Sequence, residues 1–336
     1  MVLYNIHGII RVKSYFGEYL PRFFKTSSSI KTPDMIIYPY DFLKKKYDHV
    51  EWIQISPQVY YAHVNDEALA ILSRKVAGIE IASALKSLDS NPTEVFINRN
   101  YRIVSKFLVM PISSLRSLTE FITTVIHVKL ILRGFSFITG ACFRPSTFKR
   151  AVLLSSLGRV GKTTTSLRIL MRVGGEFFSD DKVIIDGIGN VYSYPSALLI
   201  RKGSLPSLDI IIRPSPERYF AQYPTVRLGK TCKIGMIVFL ERGKDMRIIQ
   251  IDAENAFLKM RTITDIMVPQ YLAERLIVLY SYIKPDFNIY ELRQQEIKLI
   301  EEFVRRADQY VILRCPYEKP HLYSHLLEEL IRDYEI

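Results

Sequence analysis

The feature that most constrains this 336-residue chain is the apolar run Ala151-Val152-Leu153-Leu154-Ser155, followed at once by a glycine-bearing loop and a helical pattern. A short run that is apolar without alternation reads as a strand buried on both faces. Residues Lys162–Val173 then place apolar side chains at helical spacing. The loop between them is Ser156-Leu157-Gly158-Arg159-Val160-Gly161-Lys162-Thr163. It satisfies the phosphate-loop pattern GxxxxGK[ST] everywhere except the first position, where Ser156 replaces glycine.

The chemistry explains those residue types. Gly158 and Gly161 let the backbone bend so that successive N–H groups face an anion, and the helix presents its positive end to the same spot. Lys162 is expected to reach the β- and γ-phosphates and the Thr163 hydroxyl to ligate Mg²⁺. The expected nucleotide-binding set is Ser156, Leu157, Gly158, Arg159, Val160, Gly161, Lys162, Thr163 and Thr164, with ATP and Mg²⁺ as cofactors. Ser179-Asp180-Asp181 ends the next short strand. In a sheet whose strands run in parallel, a carboxylate there faces the loop, where it can hold Mg²⁺ or take a proton. Asp186 reads as a turn residue before Gly187.

Around this centre the chain reads as mixed α/β. Glu51–Val64 is expected as strand, Asp66–Leu88 as a helix capped by Asn65 or Asp66, and Val95–Ile112 as a hairpin turning at Asn98–Asn100. Ser113–Arg133 is expected as a helix stopped by Gly134. Phe135–Phe143 is read as one strand, Arg144–Lys149 as a turn, and Ile234–Leu240 with Met246–Ile251 as a hairpin. Tyr310–Cys315 is one apolar strand in a helical last third, and Leu322–Ile336 is amphipathic. The expected domains are residues 1–133, mixed α/β, and residues 134–336, a phosphate-loop domain with a helical end.

Charge is uneven along the chain. Of 46 Lys and Arg against 34 Asp and Glu, residues 131–230 hold fifteen basic and only six acidic. Pairing within that segment cannot neutralise the excess, so the remaining basic groups are paired elsewhere, solvated or used on an anionic partner, and their clustering with aromatics points to RNA. Arg144, Lys149, Arg150, Arg159, Lys182, Lys202, Arg218, Arg227 and Lys230 are the expected RNA contacts. Tyr192, Tyr194, Tyr219, Phe220 and Tyr223 interleave with them, as base stacking requires. Three scattered cysteines form neither a disulfide framework nor a metal motif. No secretory leader or membrane-spanning run is read, so a cytoplasmic protein without membrane or DNA partners is expected. Asn and Gln are scarce, eight of each, a thermophile's bias.

The phosphate loop, the strand ending in SDD, Val-Ile-Ile-Asp186, a glycine turn and Val191-Tyr-Ser-Tyr-Pro195 together resemble the HPr kinase/phosphorylase-like proteins of the PEP-carboxykinase-like P-loop branch. The resemblance runs from Phe135 to about Cys315 and is most specific over residues 156–195. It implies an α/β P-loop core in which Lys162 binds phosphate, Thr163 binds Mg²⁺ with Asp181 beside it, and Asp180 accepts the proton of an attacking hydroxyl. Three departures accompany it. Ser156 stands in the loop, Ile138-Thr139-Gly140-Ala141 replaces a histidine-bearing strand, and no carboxylate lies at Leu199–Leu205. Phosphorylase activity and a protein substrate are therefore not carried over. The basic profile is also similar to that of archaeal RNA kinases that phosphorylate a ribose 2′-hydroxyl in tRNA, forming 2′-phosphouridine. The expected function is ATP-dependent phosphorylation of an RNA hydroxyl in tRNA, with Arg201 or Arg213 shielding the γ-phosphoryl. An HPr-type protein or small-molecule kinase and a nucleotide-binding regulator or ATPase are the alternatives.

Overall fold

Two compact units divide the chain: Met1–Arg133 with Pro269–Gln295, and Gly134–Val268 with Glu296–Ile336. The computed structural model describes residues 1–76, 78–101, 103, 118–158, 160–196, 198, 200–202, 210–212, 214–268, 272, 274–316 and 322–333.

The first unit is built on an eight-stranded mixed sheet in the order β1-β2-β3-β8-β7-β6-β5-β4. Its strands are β1 (Val2–Ile6), β2 (Ile10–Ser14), β3 (Met35–Pro39), β4 (Ile53–Ser56), β5 (Val59–Val64), β6 (Glu67–Val76), β7 (Ile79–Lys86) and β8 (Thr93–Ile97). The expected helix over Asp66–Leu88 is instead the hairpin β6–β7, in full antiparallel register from Leu69↔Lys86 to Val76↔Ile79. Asn65 and Asp66 do not cap a helix. Both adopt positive φ, +50° and +62°, and form the two-residue turn between β5 and β6, a turn whose twist matches that of the strands. The run Ala-Leu-Ala-Ile-Leu has no period that separates helix from strand, so pairing with the adjacent strands β5 and β7 decides it. The turn expected at Asn98–Asn100 is not seen there, and residues 104–112 of the expected hairpin lie outside the described residues. β8 pairs with β3 and β7, and residues 99–101 turn helical. The helix before Gly134 spans Leu118–Ile131, and Gly134 takes φ +79°, the left-handed stop that glycine permits.

The second unit contains a ten-stranded sheet, and the site sits on it. Its strands are β9 (Phe135–Thr139), β10 (Ala141–Pro145), β11 (Ala151–Ser155), β12 (Gly175–Ser179), β13 (Lys182–Asp186) and β14 (Asn190–Tyr192), then, past the separate pair β15 (Ile200–Lys202) and β16 (Ile210–Ile212), β17 (Val226–Leu228), β18 (Thr231–Gly243), β19 (Arg247–Gln250) and β20 (Gln309–Pro316). The order is β17-β12-β10-β11-β18-β14-β13-β9, with β20 beside β18 and β19 beside β20. The expected single strand Phe135–Phe143 breaks at Gly140, where a Cβ would come within 2.6 Å of Leu153 Cδ1 and 2.9 Å of Leu154 O. β10 continues through Pro145, so the expected turn begins later. The expected β18–β19 hairpin does not form: β20 lies between them, parallel to β18 and antiparallel to β19. β18 is buried from Ile234 to Leu240 and needs a covered neighbour, which apolar β20 supplies, while β19 is mostly exposed and suits an edge.

β11 is buried on both faces, as its composition predicts. Val152 and Leu154 pack with Leu167, Leu170, Leu326 and Leu327, from the helices Lys162–Val173 and Leu322–Asp333. Ala151 and Leu153 face the opposite layer of Ala256, Met260, Ile300 and Phe303. The fold class is mixed α/β.

Candidate active site

The covered strand β11 delivers the chain to the loop. Ser155 Oγ donates to Thr139 O at 3.0 Å, anchoring the strand end, and Ser156 follows, 2% exposed. Lys162 Nζ donates to Ser156 O at 3.0 Å and to Ser156 Oγ at 3.2 Å, while Oγ donates to Leu157 O at 2.8 Å. The residue that departs from the loop pattern thus holds the lysine, where glycine would offer only its carbonyl. Gly161 enters the helix at φ +118° without any side-chain cap. The helix's first backbone bond is Thr165 N–H to Gly161 O, 2.9 Å. The N–H groups of Lys162, Thr163 and Thr164 therefore have no acceptor within the helix, at the end where its dipole is positive. Gly158 has room for a Cβ, 3.5 Å from Met267 Cε, so protein packing does not demand glycine there. Leu157 is exposed and Val160 half-buried.

The strand β10 lies between β11 and β12, antiparallel to both. The outer two therefore run in the same direction and end at one edge, which brings Ser179-Asp180-Asp181 to the loop's side of the sheet. Gly140 N and Thr139 Oγ1 donate to Asp181 O at 2.9 and 3.2 Å, and Ser179 Oγ donates to Tyr194 O at 3.0 Å. Asp180 is 7% exposed. The Asp181 carboxylate is half-exposed and pairs with Lys182 Nζ at 2.8 Å. Burial lowers the Lys162 ammonium's pKa below its ordinary value, and the nearby charges of Asp181 and Asp180 oppose that shift. The loop lysine and both aspartates thus share one electrostatic environment. Asp186 lies at the far end of β13 and accepts from Ile188 N, Asn190 N, Asn190 Nδ2 and the Tyr192 hydroxyl at 2.7–3.1 Å, which makes it a turn residue.

The donor set suits Mg²⁺. Thr163 and Asp181 offer oxygen, and Mg²⁺ is ordinarily held by one or two carboxylates, waters and substrate phosphates rather than a full protein cage. Among the described residues no group of three or more His, Cys, Asp or Glu forms a cage.

Sequence reasoning missed a second cluster at the same edge. Glu241 lies two residues beyond Phe239, the register partner of Ser155. It accepts from Lys259 at 2.7 Å and Arg314 at 3.0 Å, and those cations lower its pKa against the opposing effect of burial. Tyr323 donates its hydroxyl to Glu241 O, and its ring lies 3.9 Å from a Cβ placed on Gly161. Strand register pairs Glu241 with Arg314, and helix packing brings Lys259 and Tyr323 to them, so no local motif could have announced the cluster.

Four of the expected RNA contacts lie away from the loop. Arg144 and Arg227 both pair with Glu176, at 2.8 and 2.9 Å, and Arg150 forms two 2.8 Å bonds to Asp308. Arg144 and Glu176 sit where β10 ends and β12 begins, and Lys149 and Arg150 precede β11. All lie at the sheet edge opposite the loop, roughly 17 Å away along a five-residue strand. Lys182 is at the loop edge. Arg218 lies on the short helix Pro216–Phe220, and Lys230 precedes β18. Arg201 and Lys202 are in β15, paired with β16, and Arg159 and Arg213 lie outside the described residues. The interleaved aromatics serve the core: Tyr194 and Phe220 are 5% exposed, Tyr219 and Tyr223 pack on one cluster, and Tyr192 binds Asp186. No protein-family model and no curated protein matches the chain. The likeness to HPr kinase-like proteins rests on the motifs themselves.

Proposed function

We propose that this chain is an ATP-dependent phosphotransferase that passes the γ-phosphoryl group to a hydroxyl, with RNA, in particular a ribose 2′-hydroxyl of tRNA, as acceptor. The observation that carries the transferase reading is the shared edge: an uncapped helix start, the half-buried Lys162 and the carboxylates of Asp180 and Asp181, all at the ends of strands running one way. The N–H groups of residues 162–164, which have no acceptor within the helix, and the Lys162 ammonium bind the phosphates. Asp180, sheltered from water, accepts the proton of the attacking hydroxyl. Thr163 and Asp181 hold Mg²⁺, which when bound offsets charge on the β- and γ-phosphates. Arg314 and Lys259, which share Glu241 at the loop's edge, are better placed to meet an anionic reactant than Arg144, Arg150 and Arg227 at the opposite edge. RNA as the acceptor is supported by the basic excess, which the six acids of residues 131–230 cannot balance. A cytoplasmic setting accords with this reading, and among the described residues no helix is long and apolar enough to cross a membrane.

The deciding experiment offers γ-labelled ATP and Mg²⁺ to the protein with tRNA, total protein or small metabolites separately, beside Lys162→Ala and Asp180→Asn. Label enters tRNA in the wild type and is lost in both variants, with ATP binding retained in Asp180→Asn. Label in protein or metabolite instead points to an HPr-type kinase, and hydrolysis alone to a regulator.

A further inference from the structure

The aromatic surface that an RNA-handling protein needs is found in the first unit, among residues that the motif analysis did not single out. Tyr38 on β3 lies directly across from Phe96 on β8 in register, and their rings are 5.4 Å apart at 20°. On Tyr38 two further rings lie nearly parallel: Tyr15 at 5.4 Å and 4°, and Phe42 at 4.8 Å and 16°. The stack therefore runs from a fully buried ring, Phe96, to two that are 46% and 40% exposed, Tyr15 and Phe42. Backbone holds it in place. Tyr15 N–H donates to Ile37 O at 2.8 Å, and Phe42 rides on the helix Tyr40–Lys46 that starts directly after β3.

Cations surround these rings. Lys13 Nζ lies 5.3 Å from the Tyr15 centroid and Lys46 Nζ 5.6 Å from that of Tyr38. Lys44 and Lys45 are exposed on the last turn of the same helix. Lys46 is engaged with Glu94, and Asp41 is an exposed acid on that helix, so Lys13, Lys44 and Lys45 carry the excess. The first fifty residues hold eight Lys or Arg against four Asp or Glu.

Parallel rings at a surface invite another flat ring, and flanking ammonium groups favour a ligand with a phosphate at each step. A buried core needs no exposed continuation of a stack, and a membrane surface would favour aliphatic side chains beside the lysines rather than parallel rings. We infer that Tyr15, Tyr38 and Phe42 form a base-stacking platform for single-stranded RNA, with Lys13, Lys44 and Lys45 on its phosphates. The choice of RNA over other single strands rests on the acceptor proposed above; the platform rests on the rings and lysines.

The test is fluorescence anisotropy with a labelled, non-self-complementary RNA of about twelve nucleotides, without ATP or Mg²⁺, so that binding is read apart from transfer. Tyr15→Ala/Phe42→Ala weakens binding about tenfold or more, and Tyr15→Phe does not. Lys44→Gln/Lys45→Gln lowers the log–log salt slope by about 0.7 per lysine. Wild-type affinity in the doubly substituted alanine variant, with an unchanged melting curve, overturns the platform. So does equal affinity for the duplex of that RNA with its complement, whose bases are already stacked, or no binding by the wild type at about 50 mM salt. A protein that binds this RNA through the rings yet labels no tRNA would refute the RNA-kinase reading alone. Labelled tRNA with the double variant unimpaired in binding would refute the platform alone.

Discussion

Single side chains here take roles that their type alone would not suggest. Ser156 breaks a consensus and, by accepting from Lys162 Nζ, supplies the lysine with a second anchor. Lys129 is more unusual, a lysine only 3% exposed, whose ammonium donates to Ser90 O at 2.7 Å and Asn91 Oδ1 at 2.8 Å. Burial, with Arg133 adding repulsion, brings its pKa down from 10.5 to about 8, against the pull of Asp34 and Asp89. The sign of the stability effect follows. Between about pH 8 and 10.5 the unfolded chain keeps a proton that the folded one has released, so stability attributable to Lys129 rises with pH there. Below pH 8 both states are protonated and the desolvation penalty is present in full. Thermal melts of wild type and Lys129→Met should converge or diverge in that direction, the wild type gaining relative to the variant as pH rises from about 7.5 to 10. Parallel curves would show that the lysine titrates normally.

Elements show where local pattern suffices and where it fails. β11 and the helix Lys162–Val173 were legible to the residue, because a short unbroken apolar run and an amphipathic helical period are each contained in their own segment. The β6–β7 hairpin was not legible, since its alanine-rich run fits either period and only its pairing with the neighbouring strands β5 and β8 settles which one holds. Gly140 illustrates a position where close approach rather than propensity sets the residue. Gly140→Ala should destabilise the second unit by about 1–3 kcal/mol, the usual range for forced overpacking, since Leu153 Cδ1 and Leu154 O leave no room for the methyl group. Its N–H also fixes Asp181 O, so urea titration should show the loss in midpoint, together with weaker transfer in the assay of the proposed activity. A midpoint equal to wild type would mean the corner relaxes freely.

For the whole molecule, net charge and available charge differ. The chain is +12, but Arg144, Arg150, Arg227 and Lys182 are each committed to an acid, and three of these four sit at the edge remote from the loop. Arg150 and Asp308 are both about half exposed, where an ion pair contributes at most about 1 kcal/mol. Arg150→Gln should therefore change the melting midpoint little and leave the salt slope of RNA binding near wild type, whereas Lys44→Gln/Lys45→Gln reduces it. A slope that falls by a full contact in Arg150→Gln would restore the remote edge as an RNA surface.

The sequence by itself determined the phosphate-loop segment, its covered strand, its helix and the SDD strand end, because each depends on residues adjacent in the chain. It also determined a surplus of basic charge, though not its place. Tertiary structure alone decided that β20 separates β18 from β19, that Glu241, Lys259, Arg314 and Tyr323 reach the loop's edge, and that Tyr194 and Phe220 face inward while the exposed Tyr15 and Phe42 stack on Tyr38. Register and burial are properties of pairs of distant segments. A one-dimensional pattern specifies which faces must be covered, and the packed chain settles which partner covers them.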